Sequence, residues 1–520
     1  MRGLISLSAS REKKQRQGGT PTDKTLTETQ KADQTRRKTI QYTVIGVVVA
    51  VLVAALLVWN SGFFQARATA VTVGGTNYTA AQASYFYHSS YDYQNILRYA
   101  QYGMVNYDTS KSPKDQTFGE DGQTYHDYFL EAAMEDLTTI TALYDEAVKN
   151  GVTAADVKDL VDQNVAAAKE YASQNGMSYK QYLTAMYGSY VTPSVFEDCV
   201  TRACIADKGQ TDYQNSLSYT QEELDAYYAE HTDDLDSFRY SYLTFVPEEV
   251  ETKDADGNDI EMTDEEKTAA EEENLAAAKQ KAEDAKSALE GGKSLDDAIS
   301  EFEPTSYGKE ETSEGSRLSG APYADWLKSA DRKAGDVDVV ENGSNGYYVV
   351  LFTDRFQDET PTVDTRHILV RAEQTEGAAP TDEQMAAAKA KAEDLLSQWQ
   401  NGAATEDSFA ELANANSEDS GSNTNGGLYE KVYPGQFVTN YNDWLFDSAR
   451  QPGDTAVVEN NGTSYYGYHV VYYVKQNPDF VTWMAKTKNA KASEDLQSWM
   501  EDLQSGVTAQ QADGAKYLAQ

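Results

Sequence analysis

Cysteine is almost absent from this 520-residue chain, which holds only Cys199 and Cys204. Two thiols cannot build a disulfide scaffold or a thiolate zinc site, and five positions apart on a helix they do not share a face well. Histidine is nearly as scarce, at five residues, so each imidazole can be weighed singly. Positive charge is short too: 44 Lys+Arg against 84 Asp+Glu leave a formal net charge of -40. That excludes a nucleic-acid binder, which needs a basic face to neutralise phosphates. What is present is a 40% hydrophobic content with 11% aromatics, which excludes a wholly disordered acidic chain. The length suggests two to four domains.

The charge is unevenly spread. Residues 1–40 carry 10 Lys+Arg and 4 Asp+Glu, a net of +6, and residues 41–66 carry none. Residues 67–520 hold 34 basic against 80 acidic groups, a net of -46. Val44 to Trp59 is almost purely aliphatic, and as a helix it would rise about 24 Å. With flanks that include Tyr42, Phe63 and Phe64 it reaches the length that a bilayer requires, with aromatics at both borders. Arg36, Arg37 and Lys38 precede it, so the positive-inside rule predicts a cytoplasmic basic tail over 1–40, a single transmembrane anchor over 41–64 and an extracytoplasmic acidic remainder. The competing reading is a cleaved signal peptide ending near Ala68-Thr69-Ala70, but its polar lead would be unusually long.

Beyond the anchor, Val71 to Thr79 reads as a short strand, a glycine turn and a helix start, with Thr79 and Gln82 forming a capping box. A mainly helical region is expected over 70–235. An internal repeat follows. Pro322-Tyr323-Ala324-Asp325-Trp326-Leu327 matches Asn440-Tyr441-Asn442-Asp443-Trp444-Leu445 at an offset of 118, and the same offset links Gly335-Asp336 to Gly453-Asp454 and Glu341 to Glu459. Each copy opens on an apolar strand, Tyr242–Phe245 or His367–Val370, followed by an Ala/Lys/Glu helix near 264–290 or 381–400. Each closes on a hairpin for which Asn342-Gly343 and Asn461-Gly462 are favourable turn dipeptides. The expectation is two small α+β units, over 236–358 and 359–478, and then a helical, amphipathic tail over 479–520 able to dock back on the first helices.

The second copy resembles the parvulin-type peptidyl-prolyl isomerases. The resemblance rests on Thr365-Arg366-His367-Ile368-Leu369-Val370, Ser417-Glu418-Asp419-Ser420-Gly421-Ser422, Asn425-Gly426-Gly427-Leu428, Pro434-Gly435-Gln436-Phe437 and Gly467-Tyr468-His469-Val470-Val471, in that order. Anchor, helical arm, repeated units and terminal helix together are similar to extracytoplasmic foldases of the PrsA/SurA type. The implied fold is α+β and multidomain: a transmembrane helix, a chaperone-like helical arm and two tandem parvulin-like domains, the first degenerate. The implied activity is isomerisation of X-Pro bonds in unfolded exported polypeptides, a reaction that breaks no bond and so requires neither metal nor cofactor. By the same resemblance His367 and His469 are the paired central histidines, and Asp419 lies beside the peptide carbonyl. Leu428, Phe437 and Tyr441 would line an apolar cup for the proline ring. Asp419 is open to two roles, tuning the histidines or setting the polarity around the twisted amide. The glycine turn departs from the family, because Gly426-Gly427 run directly into Leu428-Tyr429 where the family has Gly-Gly-Asp-Leu-Gly. In the first copy Tyr242 and Tyr348 replace the histidines and Ser319 replaces Phe437, which predicts a unit without isomerase activity.

Other readings remain beside these. The rival is a holdase or assembly factor in which both parvulin-like units only bind peptide, and a repeat-built surface stalk would leave the histidines unexplained. His88, His126 and His231 receive no role. Asp254-Ala255-Asp256-Gly257-Asn258 starts like a calcium loop, but Asp259 stands where glycine is required, so a solvated acidic insertion is the better account. The 36 tyrosines are read either as half-buried packing or as an amphipathic surface for weakly held clients.

Overall fold

The computed structural model describes residues 28–119, 122–251, 253, 260, 262–374, 378–462 and 465–519. The basic lead up to residue 27 and the acidic loop over 254–259 lie outside the described residues. The described residues up to Asp212, with those from Met500 on, make one unit, and Tyr213–Trp499 make the other.

In the first unit a helix runs over Glu28–Asn60, and its Tyr42–Trp59 stretch has a mean hydropathy of 2.6 with no residue buried. An uninterrupted apolar stretch with none of its described residues buried meets the length and composition for crossing a bilayer. Strands Thr69–Val73 and Thr76–Thr79 then form a hairpin whose two turn residues, Gly74 and Gly75, both have positive φ, the backbone that a tight two-residue turn demands. The capping box of Thr79 and Gln82 starts the helix Ala80–Ser89. Against it packs Tyr125–Lys149, and the fully buried Tyr87 and Phe129 meet edge to face with centroids 5.8 Å apart. Cys199 and Cys204 are buried free thiols on the helix Pro193–Ser216. The tyrosines divide: Tyr78, Tyr87 and Tyr441 are fully buried, whereas Tyr91 and Tyr102 are exposed.

The second unit holds two four-stranded antiparallel sheets of the same topology. The first has the order Ser306–Glu314, Ser237–Phe245, Tyr347–Phe356, Val337–Glu341, and the second Leu428–Val432, Pro361–Arg371, Gly467–Val481, Thr455–Asn460. The registers correspond residue for residue: Tyr242 faces Val350 as His367 faces Val471, and Thr244 faces Tyr348 as Leu369 faces His469. A long helix lies on one face of each sheet, Asp264–Glu290 or Asp382–Asn401. Their sheet-facing stripes are small, Ala278, Ala282 and Ala285 in one, Ala388 and Ala392 in the other, so each backbone sits close to the strands. Ile368, Val370, Phe409 and Val470 fill the second core, which leaves the sheet's other face to His367 and Thr365.

Two expectations change. The tail is not helical throughout: a helix over Thr482–Gln504 is followed by a strand, Ala509–Gln511, that pairs antiparallel with Thr69–Val73, and then a 3-10 turn. The hairpins do not close on two-residue Asn-Gly turns. Asn342 has an ordinary negative φ and its N–H donates to Gly346 O, so that loop spans five residues. In the second copy Asn460 pairs with Gly467, and the Asn460 side chain ties the longer loop through Gly462 N and Tyr465 O.

Ile368 is wholly buried between the second sheet and its helices. Ile368→Ala is expected to cost about 3 kcal/mol of stability, through lost burial plus a cavity. Urea unfolding of the chain checks this; a loss under about 1 kcal/mol would mean a loosely packed core.

Candidate active site

Strand alternation decides what faces the site. His367 and Thr365 project from the strand Pro361–Arg371 on the face opposite Ile368 and Val370, while His469 projects from the neighbouring strand Gly467–Val481. The two imidazoles stack with centroids 5.1 Å apart, and their Nδ1 atoms are 2.9 Å apart. His367 Nε2 lies 2.8 Å from Asp419 Oδ2, and His469 Nε2 lies 2.8 Å from Tyr465 Oη. Asp419 Oδ2 also accepts from Tyr429 O–H at 2.9 Å and from Ser422 O–H, while Oδ1 accepts from Gly421 N–H at 3.2 Å.

These contacts fix a direction. Only one proton fits between two Nδ1 atoms. Asp419 is a pure acceptor when ionised, so His367 donates from Nε2 and, with one proton per ring, accepts at Nδ1. His469 then donates from Nδ1 and accepts at Nε2 from Tyr465. The result is one continuous run: Tyr465 to His469 to His367 to Asp419. The His367 N–H, Ser422 and Tyr429 hold the Asp419 carboxyl well below the usual range, the His367 bond being the largest cause. Burial, followed by the repulsion of His367, lowers His469 to about 3. Burial, followed by the Asp419 carboxylate, raises Tyr429 to about 12.

An aromatic wall adjoins the histidines. Phe437 stacks on Tyr441 with centroids 4.6 Å apart, and Tyr429 meets Phe437 edge to face at 5.2 Å. Tyr441 is fully buried beneath Phe437. Thr365 donates to Tyr472 O at 3.0 Å, which leaves Tyr441 O–H to donate to Thr365 Oγ1 at 2.9 Å.

Of the expected site residues, His367, Asp419, His469, Phe437 and Tyr441 come together. Leu428 does not join them. It pairs with Arg366, so alternation turns its side chain to the helix-bearing face, and Tyr429, paired with Thr365, takes the position beside His367. The shortened glycine turn explains the shift. Gly426 and Gly427 both have positive φ, and a Cβ on Gly427 would sit 2.2 Å from His367 O. Arg366 latches that turn from the other face through Gly426 O at 3.0 Å and Glu406 at 2.9 Å. The site also holds Tyr429, Tyr465 and Ser422, which are not among the expected site residues. Tyr429 was recoverable from the strand period, whereas Tyr465 sits in a loop and carries no signal. Among the described residues no cluster could hold a metal ion.

The first sheet differs in chemistry and in chain length. Tyr242, Tyr323 and Tyr348 occupy the corresponding positions, with Tyr242 and Tyr348 centroids 6.1 Å apart. Three residues join its helix Leu295–Phe302 to its edge strand, where the second copy has the eleven residues 417–427 that carry Asp419 and Ser422.

Residues 347–477 match the family model of the PPIC-type PPIASE domain. They are a parvulin-type peptidyl-prolyl isomerase domain. The match begins in the last long strand of the first sheet, whereas the second sheet itself begins at Pro361. The chain is 28% identical over 352 residues to the chaperone SurA of Alkalilimnicola ehrlichii, covering 66% of this chain and 72% of that one. It is 25% identical over 182 residues to the SurA of Nitrosococcus oceani, covering 33% of this chain and 39% of the relative. Among solved structures, PrsA from Bacillus subtilis aligns over 75% of this chain and 91% of its own at 13% identity, with a TM-score of 0.27. The chain thus carries a peptidyl-prolyl isomerase domain and has chaperone relatives.

Two predictions follow from this geometry. His469 is held neutral, so it contributes stability that is full above its ordinary 6.5 and is lost as pH falls toward about 3. His469→Gln should lower stability at pH 7 and flatten its fall between pH 7 and about 5 in urea titrations; an unchanged slope would contradict a neutral buried ring. Gly427→Ala should cost both stability and at least about tenfold in isomerase kcat/KM, because the new methyl displaces His367. Full activity in that variant would contradict the tight turn.

Proposed function

We propose that this chain is a membrane-anchored, extracytoplasmic foldase that accelerates X-Pro isomerisation in exported polypeptides, with catalysis in residues 359–478. The supporting observation is the hydrogen-bonded run from Tyr465 to Asp419 directly beside the Phe437–Tyr441 stack. Rotation about an X-Pro bond faces a barrier of about 18–20 kcal/mol because the twisted amide loses its resonance. A catalyst needs an apolar wall that seats the proline ring and a preorganised polar side for the altered amide. Phe437, on its buried Tyr441 base, and Tyr429 suit the first requirement. The imidazole pair suits the second.

Asp419 accepts from three side chains on Oδ2, so its charge is spent on holding His367 rather than offered to a substrate carbonyl. It acts as a positioning residue for His367. That favours the first of its two roles, tuning the histidines. The first parvulin-like unit, over 236–358, lacks both the carboxylate-bearing loop and the histidines, and serves as a non-catalytic module. The apolar Tyr42–Trp59 stretch would span the membrane with Arg36, Arg37 and Lys38 inside and the acidic remainder outside. The helical arm would hold unfolded clients near the bilayer.

The test is cis-to-trans isomerisation of an Ala-X-Pro-Phe peptide series by the detergent-solubilised chain. His367→Ala, Asp419→Ala and Phe437→Ala should each lower kcat/KM by at least about tenfold, which is ~1.4 kcal/mol of transition-state stabilisation. Tyr242→Phe should leave it unchanged. A folded chain with no rate above the uncatalysed reaction would replace this reading with a non-catalytic, client-binding chaperone.

A further inference from the structure

In the first unit, the strand Ala509–Gln511 is the edge of the three-stranded sheet. Gly74 N–H donates to Thr508 O at 3.4 Å, and Ala512 N–H donates to Ala70 O at 2.8 Å. Residues 508, 510 and 512 therefore turn their backbone groups inward to Thr69–Val73, and alternation turns those of Ala509 and Gln511 outward. Among the described residues no strand pairs with that outer edge. The edge borders a groove of about 650 Å³ whose opposite wall is one face of the helix Tyr125–Lys149.

The walls of the groove are chemically graded. The buried Leu130 and the half-buried Met134 line its apolar floor, and Asp127, Glu131 and Glu135 stand exposed along the helix beside them. An unpaired strand edge supplies main-chain donors and acceptors to any extended segment, whatever its sequence. An apolar floor beside three carboxylates, of which Asp127 accepts from Thr124 and Glu131 and Glu135 project along the rim, selects a segment that alternates apolar and basic side chains, because alternate residues of a strand point to opposite sides.

We propose that this groove is a polypeptide-binding site in which an extended client segment with alternating apolar and Lys/Arg residues adds as a fourth strand beside Ala509–Gln511. The proposal rests on the reading that the chain binds unfolded polypeptides, and gives that binding a location and a preference. Main-chain pairing to Ala509 and Gln511 provides sequence-independent grip. The two glutamates make binding weaken with ionic strength, since exposed charges are screened. The groove lies outside the isomerase domain, so a client held here is bound independently of its prolines.

The experiment is fluorescence anisotropy of the full solubilised chain with a labelled nonapeptide of alternating Val and Lys, beside its Val/Glu counterpart. Two variants complete it. Ala509→Pro removes an outward N–H while sparing the inward pairing, a position where an edge strand accepts proline. Glu131→Lys with Glu135→Lys reverses the rim on an exposed helix face. The expected result is that the Val/Lys peptide binds about tenfold more tightly than the Val/Glu peptide, and that each variant loses about tenfold in affinity. Circular dichroism and isomerase kcat/KM should stay at wild-type values in both variants. Wild-type affinity in both variants, or equal binding of the two peptides, would overturn the groove while leaving the foldase reading intact if the chain still suppresses aggregation of an unfolded client. Ala509→Pro abolishing only a monomer–dimer equilibrium would assign the edge to a second copy and also overturn it. A wild-type chain that binds neither peptide and protects no client would overturn the proposal and the client-binding reading together.

Discussion

One proton sits between His367 Nδ1 and His469 Nδ1, and the organisation of the second parvulin-like unit depends on where it goes. Both rings are buried in the middle of a sheet, where an uncompensated charge is costly. The solution is a directional run of donors that starts at Tyr465 and ends on Asp419, an acceptor held ionised by three side-chain donors. Every member has its partner, which is the condition under which a buried polar network orders a site instead of weakening it. The aromatic stack of Phe437 on Tyr441 then has a rigid polar neighbour at fixed distance.

The two copies show what that network requires beyond the sheet. They share strand order and register, down to the pairing of the positions that carry His367 and His469. They differ in the connection to the edge strand. With three residues there, the first copy has no loop to bring a carboxylate over its central strand, and an imidazole in that place would lack its terminal acceptor. Tyr242, Tyr323 and Tyr348 fill the space instead, ring against ring. Loss of the loop and loss of the histidines are thus one physical change.

Much of this was legible in sequence. The repeat announced two units because Pro322–Leu327 and Asn440–Leu445 occupy equivalent places, and the helices over Asp264–Glu290 and Asp382–Asn401 fall within two residues of their sequence-based limits. The histidine pair and Asp419 stood in ordered motifs. Residue order alone misplaces Leu428 because it carries no strand phase: the shortened glycine turn brings Tyr429 into the site and turns Leu428 away. Tyr465 was invisible because a loop residue has no periodicity to place it. The strand Ala509–Gln511 is not legible in the sequence because three residues cannot establish a period of two, and its partner lies more than four hundred residues earlier.

The central claim is the ordered proton run, and imidazole nitrogen NMR of the chain with labelled histidines reads it directly. The account requires His469 to carry its proton on Nδ1, with a bare Nε2, and to stay neutral as pH is lowered from 7 to about 5. A His469 protonated on Nε2, or one that titrates near the ordinary histidine value, would contradict it, since the path from Tyr465 to Asp419 would then be broken at its middle bond.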